Sequence, residues 1–175
     1  MRYNGQERAF IGIGANLDDP ESSVRRAIAS IAAVPETKLT AASSLYRTAP
    51  VGYLDQPDFV NAVVAIETRL DPAALLEQLL LIEAQFGRKR STRNAPRTLD
   101  LDLLLHGDQR VNSPRLTLPH PRMAQRAFVL VPLAEIAPDL AVGALGTVAQ
   151  LLSLVSTDGV ERIGEADDFV LSGVA

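Results

Sequence analysis

The chain has 175 residues, 47% of them hydrophobic, with no cysteine and a formal net charge of −4. A chain of this length buries roughly two-thirds of its unfolded surface in one core, so we expect a single domain over residues 1–175. The missing cysteines exclude disulfides and thiolate metal sites, and the negative charge argues against a surface built for nucleic acid.

The N-terminal segment does not predict export. Met1 to Arg8 lacks the apolar core of a secretory signal, and no apolar run approaches the roughly 20 residues of a membrane-spanning helix. We therefore expect a cytoplasmic protein with neither a membrane nor nucleic acid among its partners. We also expect a monomer, although no sequence motif determines the oligomeric state.

The first two elements are a strand and a helix. Phe10–Gly14 is a short apolar run that ends on glycine, which predicts a strand and a following turn. Asp19 before Pro20 is typical of a helix start, because a capping side chain precedes a proline in the first helical position. The apolar stripe of this helix is Val24, Ile28 and Ile31.

Two further strands follow, separated by a loop rich in proline and glycine. The segments are Thr40–Tyr46 and Phe59–Thr68. Because side chains alternate along a strand, Phe59 and Asn61 are expected to share one face.

The middle of the chain predicts a helix, a basic loop and a strand. Asp71-Pro72 repeats the helix start, and an apolar stripe ends at Gly87. The segment Arg88–Arg97 holds five basic residues and no acidic one, which indicates a loop. Leu99–Leu105 then alternates leucine with aspartate and is predicted to be a strand.

The C-terminal part is less regular. Phe128–Val131 is a short apolar run, Pro132–Ala137 is compatible with a helix, and Val148 to Val155 suits a short helix. The loops between the later strands are too short for parallel crossovers, so a mixed or largely antiparallel sheet of the α+β class is expected.

Asp100 and Asp102 are the first candidates for chemistry. Residues two apart on a strand face the same side with Cβ atoms about 7 Å apart, while Leu99, Leu101, Leu103 and Leu105 are expected to fill the opposite face. Two carboxylates leave most of a magnesium shell to water and phosphate, as in nucleotide-using sites. A solvated pair of acids fits the pattern equally well.

The neighbouring cations favour the metal interpretation. The basic loop leads directly into the aspartate strand, and phosphoryl-type transfer depends on such charge stabilisation. His120, between two prolines, and Arg126 offer a second cationic group near Phe128. A solvated basic loop and a structural histidine remain the alternatives, and two histidines disfavour a multi-histidine zinc site.

Two familiar phosphate motifs are missing. The sequence has no Gly-x-x-x-x-Gly-Lys-Ser/Thr loop, and Gly12-x-Gly14 lacks a third glycine because Leu17 occupies that place. A P-loop kinase and a Rossmann dehydrogenase are thus disfavoured. Gly12 and Gly14 suit a close backbone approach or a tight turn instead.

Read as one unit, Arg93 to Asp102 resembles the signature of the 6-hydroxymethyl-7,8-dihydropterin pyrophosphokinase family. Further motifs resemble that family in its order, and the likeness covers about Phe10 to Leu140. They are Gly12 to Leu17, Tyr46-Arg47-Thr48, Asp55 to Ala62, and Pro119 to Met123 with Arg126 and Phe128.

The resemblance implies a ferredoxin-like, three-layer αβα fold with a mixed, mainly antiparallel sheet. It implies transfer of the β,γ-diphosphate of ATP, the co-substrate, to 6-hydroxymethyl-7,8-dihydropterin in folate synthesis, with AMP as the second product. It also implies two Mg²⁺ ions, held by Asp100 and Asp102.

Site residues are carried over from the resemblance onto matching positions. The catalytic set is Arg90, Arg97, Asp100 and Asp102. The pterin set is Thr48, Ala49, Val51, Phe59, Asn61 and Phe128. The ATP set is Glu83, Arg90, Arg97, Arg115, Thr117, His120 and Arg126.

Two other functions remain open at this point. A non-catalytic pterin or nucleotide sensor of the same fold would keep Phe59, Asn61 and Phe128 but relax the metal pair. An RNA-binding α+β module would use the basic loop, although three tyrosines, five phenylalanines and no tryptophan offer few stacking platforms.

Overall fold

A six-stranded sheet forms the centre of the protein in the computed structural model, which describes residues 5–50, 55–87 and 99–166. Its strands lie in the order β5-β1-β4-β3-β8, β2 also pairs with β4, and every pairing among these described strands is antiparallel. They are β1 Glu7–Ala15, β2 Thr37–Ala42, β3 Leu45–Thr48, β4 Phe59–Thr68, β5 Asp100–His106 and β8 Val160–Gly164. Strands β6 Val111–Asn112 and β7 Thr117–Leu118 form a separate hairpin.

Helices cover both faces of the sheet. They are α1 Pro20–Ala32, α2 Pro72–Gln85, α3 Ala127–Ile136 and α4 Val148–Leu152. One apolar cluster joins α1 and α2 to the sheet, and a second cluster joins α3 and α4 to the other face. The predicted α+β class and three-layer αβα arrangement are confirmed.

Both long helices begin as the sequence predicts. The Asp19 side chain accepts the N–H of Ser22 at 3.2 Å, and the Asp71 side chain accepts the N–H of Ala74 at 2.8 Å. In each case a proline occupies the first helical position. No helix in the described ranges is long and apolar enough to cross a membrane.

Strand β4 is buried on both faces, and the alternation of its side chains divides the two cores. Val60, Ala62, Val64 and Ile66 belong to the α1/α2 cluster, whereas Val63 and Ala65 belong to the α3/α4 cluster. Phe59 and Asn61 have the parity of Val63, so the period of two places them on the α3 side.

The predicted alternation along β5 is wrong at its C-terminal end. Phe10 pairs with Leu105 but Ile11 pairs with Leu103, so Leu104 is an extra residue in a β-bulge. Such a bulge turns successive side chains to the same side. Leu104 and Leu105 therefore both lie in the α3/α4 cluster, and Leu105 does not join Leu103 on the opposite face.

The predicted strand Thr40–Tyr46 is two strands, β2 and β3, interrupted at Ser43 and Ser44. The side chains of these buried serines replace part of the ladder. Ser43 Oγ accepts the N–H of Val63 at 2.9 Å, and Ser44 donates its N–H and its hydroxyl to the two carboxylate oxygens of Glu135 at 2.7 and 2.6 Å.

The sequence analysis separates the apolar run Phe128–Val131 from a helix over Pro132–Ala137, and this separation is also wrong. One helix, α3, runs through the apolar run and on to Ile136, with Pro132 inside it. Tertiary burial overrides the proline, since Val129, Leu130 and Leu133 are buried against the sheet. Strand β8 was not predicted. Its side chains are all partly or fully exposed, so it has no apolar alternation to detect.

The Glu135 carboxylate connects α3 to the edge of the sheet. Besides Ser44, it accepts the hydroxyl of Tyr46 at 2.9 Å. Burial, followed by the hydrogen bond and negative charge of Glu135, raises the pKa of Tyr46 to about 12, and Arg162 acts in the opposite direction. Tyr46 thus prefers to stay protonated in the folded state.

Glu135→Gln should lower the pKa of Tyr46 toward the ordinary value of about 10, because the neighbouring negative charge is removed. In the unaltered protein, the contribution of Tyr46 to the free energy of unfolding is present below pH 10 and is lost as the pH rises toward about 12, since only the unfolded state ionises in that interval. Ultraviolet titration of tyrosinate, assigned with Tyr46→Phe, measures the shift.

Glu161→Gln is the matched control for this titration, because the Glu161 side chain is 72% exposed. An unchanged tyrosinate titration in Glu135→Gln would contradict the assigned cause of the raised pKa.

Candidate functional site

A cavity of about 410 Å³ opens on the α3 side of the sheet. It is bounded by β1, the end of β3, the start of β4, the start of β5, and the segment from residue 120 to residue 129. Its lining residues are Gly12, Ile13, Gly14, Thr48, Ala49, Phe59, Asn61, Ala62, Val63, Asp100, Asp102, His120, Pro121, Arg122, Arg126, Phe128 and Val129.

Both predicted aspartates line this cavity. Asp100 pairs with Gly14 and Asp102 pairs with Gly12, so the neighbouring strand carries no side chain beside either carboxylate. In the described ranges no group of three or more histidine, cysteine, aspartate or glutamate side chains is arranged to hold a metal. The carboxylate pair therefore fits a cation that takes its remaining ligands from water or phosphate.

Arg126 lies beside the carboxylates and beside an aromatic ring. Its Nη1 is 4.0 Å from Asp102 Oδ2, and its guanidinium carbon is 5.5 Å from the centroid of the Phe128 ring. Positive charge, carboxylate and aromatic face thus meet on one wall of the cavity.

His120 is held in a defined tautomer. Its backbone N–H donates to Leu104 O at 2.9 Å, and its Nδ1 accepts the N–H of Arg122 at 3.1 Å. An accepting Nδ1 leaves the proton of the neutral ring on Nε2. Burial, and then the positive charge of Arg126, lower the pKa of His120, whereas Asp100 acts to raise it.

The cavity also carries an amide and two aromatic rings. Phe59 and Asn61 project from β4, and Phe128 projects from α3. Asn61, 6% exposed, donates its Nδ2–H to Thr48 Oγ1 at 2.7 Å. The predicted pterin residues Thr48, Ala49, Phe59, Asn61 and Phe128 are therefore brought together.

Three predicted ATP residues lie away from this cavity. Glu83 is buried and its Oε2 accepts the N–H of Leu101, between the two aspartates, at 2.8 Å. Arg115 donates to Glu77 at 2.6 Å and lines a second, open cavity of about 680 Å³ between α2 and the β6–β7 hairpin. Thr117 lies in β7.

The remaining predicted residues, Val51, Arg90 and Arg97, lie outside the described residues. Arg122 lines the cavity but is missing from the predicted site residues, although it lies in the Pro119 to Met123 motif. Its place in the cavity depends on the turn after β7. Gly12 and Gly14 lie inside β1 rather than in a turn.

A family model described as 7,8-dihydro-6-hydroxymethylpterin-pyrophosphokinase (HPPK) matches residues 10–138. The chain belongs to this family. It is 45% identical over 157 residues to the 2-amino-4-hydroxy-6-hydroxymethyldihydropteridine pyrophosphokinase of Pseudomonas aeruginosa, covering 90% of this chain and 97% of that protein. It is 46% identical over 156 residues to the pyrophosphokinase of the same name from Methylorubrum extorquens, covering 89% of this chain and 98% of that protein.

Solved structures agree on the fold of this HPPK family member. A crystal structure of a Plasmodium falciparum HPPK-DHPS variant matches it with a TM-score of 0.69 at 15% identity, over 90% of this chain. The chain spans 49% of that longer protein.

Opposite shifts of the His120 pKa should follow from removing its two charged neighbours in metal-free protein. Arg126→Gln should raise the pKa, because a repelling positive charge is lost, and Asp100→Asn should lower it, because an attracting negative charge is lost. Imidazole NMR titration in the presence of a chelator measures both. Shifts of the same sign in the two variants would contradict this electrostatic description.

Proposed function

We propose that this cavity transfers the β,γ-diphosphate of ATP to 6-hydroxymethyl-7,8-dihydropterin, giving AMP and the pterin diphosphate in tetrahydrofolate biosynthesis. The observation that carries the proposal is that a carboxylate pair and an aromatic-amide pocket open into one cavity. A pyrophosphokinase of this family needs both, one for the triphosphate and one for the acceptor.

Phe59, Asn61 and Phe128 form the proposed seat of the pterin. Two aromatic rings hold a flat heterocycle by stacking, and an amide fixed on Thr48 supplies the polar recognition that stacking lacks. Ala49 and Val51 would complete the wall, largely through backbone groups. The acceptor hydroxymethyl group would then face Asp100 and Asp102.

Asp100 and Asp102 would hold the two Mg²⁺ ions. The donor set fits, because two carboxylates on a rigid strand leave coordination positions for phosphate oxygens and water. When bound, such ions neutralise phosphate charge and stabilise the attacking and leaving oxygens.

His120 and the arginine side chains would orient the triphosphate. His120 offers its Nε2–H, and Arg126 offers a guanidinium already beside Asp102. Arg90 and Arg97 would clamp phosphates, and Arg115 and Thr117 would contact the nucleotide from the hairpin side. Glu83 would support the site from outside the cavity, since its carboxylate binds the backbone N–H of Leu101 between the two proposed metal ligands.

In the proposed reaction, the pterin hydroxyl oxygen forms a bond to the β-phosphorus of ATP and the hydroxyl proton passes to solvent. The bond from that phosphorus to the oxygen shared with the α-phosphate breaks, and AMP leaves with the oxygen. Positioning and charge stabilisation carry such a transfer. The expectations of a single domain over residues 1–175, a monomer and a cytoplasmic location stay predictions.

ATP, magnesium and 6-hydroxymethyl-7,8-dihydropterin should yield AMP. Asp100→Ala or Asp102→Ala should lower the rate by at least about a hundredfold, because phosphate charge loses its principal stabilisation. Chromatography of adenine nucleotides measures the product, and circular dichroism checks the fold. Asp108→Ala, an exposed acid beyond β5, is the matched control.

Formation of ADP in place of AMP would reject diphosphate transfer. Pterin binding without turnover in the unaltered protein would favour the sensor alternative.

Phe59→Ala should weaken pterin binding about tenfold or more and leave magnesium-ATP binding nearly unchanged, because the ring stacks on only one of the two ligands. Calorimetric titration of each ligand measures the difference. Phe86→Ala is the control, since Phe86 stacks on Arg26 at the end of α2. Equal losses for both ligands would contradict the stacking role.

A further inference from the structure

Gly14 lies directly against the amide of Asn61. The two residues are partners across β1 and β4, and a Cβ built on Gly14 would lie 2.8 Å from Asn61 Oδ1. Real Cβ atoms essentially never come so close to another heavy atom. Any side chain at this position would therefore displace the Asn61 amide.

The backbone conformation at position 14 does not require a glycine. The described glycines with positive φ include Gly87 and Gly107, but Gly14 is not one of them. It lies inside β1, where an alanine adopts the same extended backbone. The contact with Asn61 is thus the requirement that the structure places on this position.

Gly12 provides an internal comparison on the same strand face. A Cβ built there would lie 3.6 Å from the Leu104 side chain, which is an ordinary van der Waals contact. Of these two cavity-lining glycines, Gly14 is the one whose substitution disturbs a polar group.

We propose that Gly14 is a specificity-determining position, which acts by holding the Asn61 amide in the orientation that recognises the heterocycle. This inference rests on the proposed function of the cavity. Thr48 Oγ1 accepts one Nδ2 hydrogen of Asn61, and the missing side chain at Gly14 leaves space for Oδ1. A methyl group at position 14 would occupy that space.

The oriented amide defines the class of ligand. With one Nδ2 hydrogen bound to Thr48, the Asn61 side chain offers its second Nδ2 hydrogen and its carbonyl oxygen. These groups match a planar heterocycle that carries an acceptor next to a donor on one edge. A rotated amide would leave such an edge unpaired, which strongly disfavours binding in a buried site.

The fold should tolerate the substitution that disturbs this amide. The atom that meets the built Cβ is the end of the Asn61 side chain, not backbone, so a rotation of the amide relieves the contact. The expected consequence is altered recognition in a folded protein.

The test compares Gly14→Ala, Gly164→Ala, Asn61→Ala and the Gly14→Ala/Asn61→Ala double variant in the full chain. Gly164 is the control because it lies in β8, away from the cavity lining, and a Cβ built there would lie 3.5 Å from Arg25 Nη2, which is an ordinary van der Waals contact. Calorimetry measures binding of 6-hydroxymethyl-7,8-dihydropterin, with magnesium and a non-hydrolysable ATP analogue present, and of the analogue alone. Thermal melting measures the fold.

Gly14→Ala should weaken pterin binding about tenfold or more, with nucleotide affinity and melting temperature close to those of the unaltered protein. Gly164→Ala should keep the pterin affinity. Since Gly14→Ala acts through Asn61, it should cause no further loss in the Asn61→Ala background.

Unchanged pterin affinity in Gly14→Ala, additive losses in the double variant, or an unfolded Gly14→Ala protein would each overturn the inference. Failure of the unaltered protein to bind the pterin is a different result, because it would reject the proposed function itself.

Discussion

The antiparallel pairing of β1 between β4 and β5 is the constraint on which the rest of the site depends. In that register Gly14 faces Asn61 on one side and Asp100 on the other. Neighbouring strands lie about 4.8 Å apart, so the amide and the carboxylate stand roughly 10 Å apart across the glycine. A slip of one residue would turn either group to the α1/α2 core, where neither could meet a ligand.

Two carboxylates, those of the buried Glu83 and the exposed Glu135, stabilise this arrangement from outside the cavity. Glu83 accepts the N–H of Leu101 between the metal-ligand candidates, and Glu135 ties α3 to Ser44 and Tyr46 at the edge of the sheet. A buried carboxylate such as that of Glu83 is costly unless hydrogen-bond donors satisfy it. Here the donors are strand backbone and hydroxyl groups, so the same bonds that satisfy the charge also fix the strands and the helix around the cavity.

Much of the site could be predicted because it depends on local periodicity. Because side chains alternate along a strand, the sequence alone predicts that Asp100 and Asp102 share one strand face, as do Phe59 and Asn61. All four residues line the cavity. Where contacts between distant segments determine the structure, the local sequence pattern gave a wrong prediction. The β-bulge at Leu104 turns the Leu105 side chain to the opposite face of the sheet from the predicted one. The buried side chains of Ser43 and Ser44 interrupt a segment that the sequence predicts as one strand.

The sequence by itself determined the local elements and the family, since caps, strand alternation and short motifs are properties of neighbouring residues. Only the tertiary structure decided that Gly14 must accommodate Asn61, that Arg122 reaches the cavity, and that the Glu83 carboxylate binds the backbone of β5. The physical reason is that these relations join residues distant in the chain. Register, bulge and packing set them, and no pattern within one segment encodes the distance between two segments.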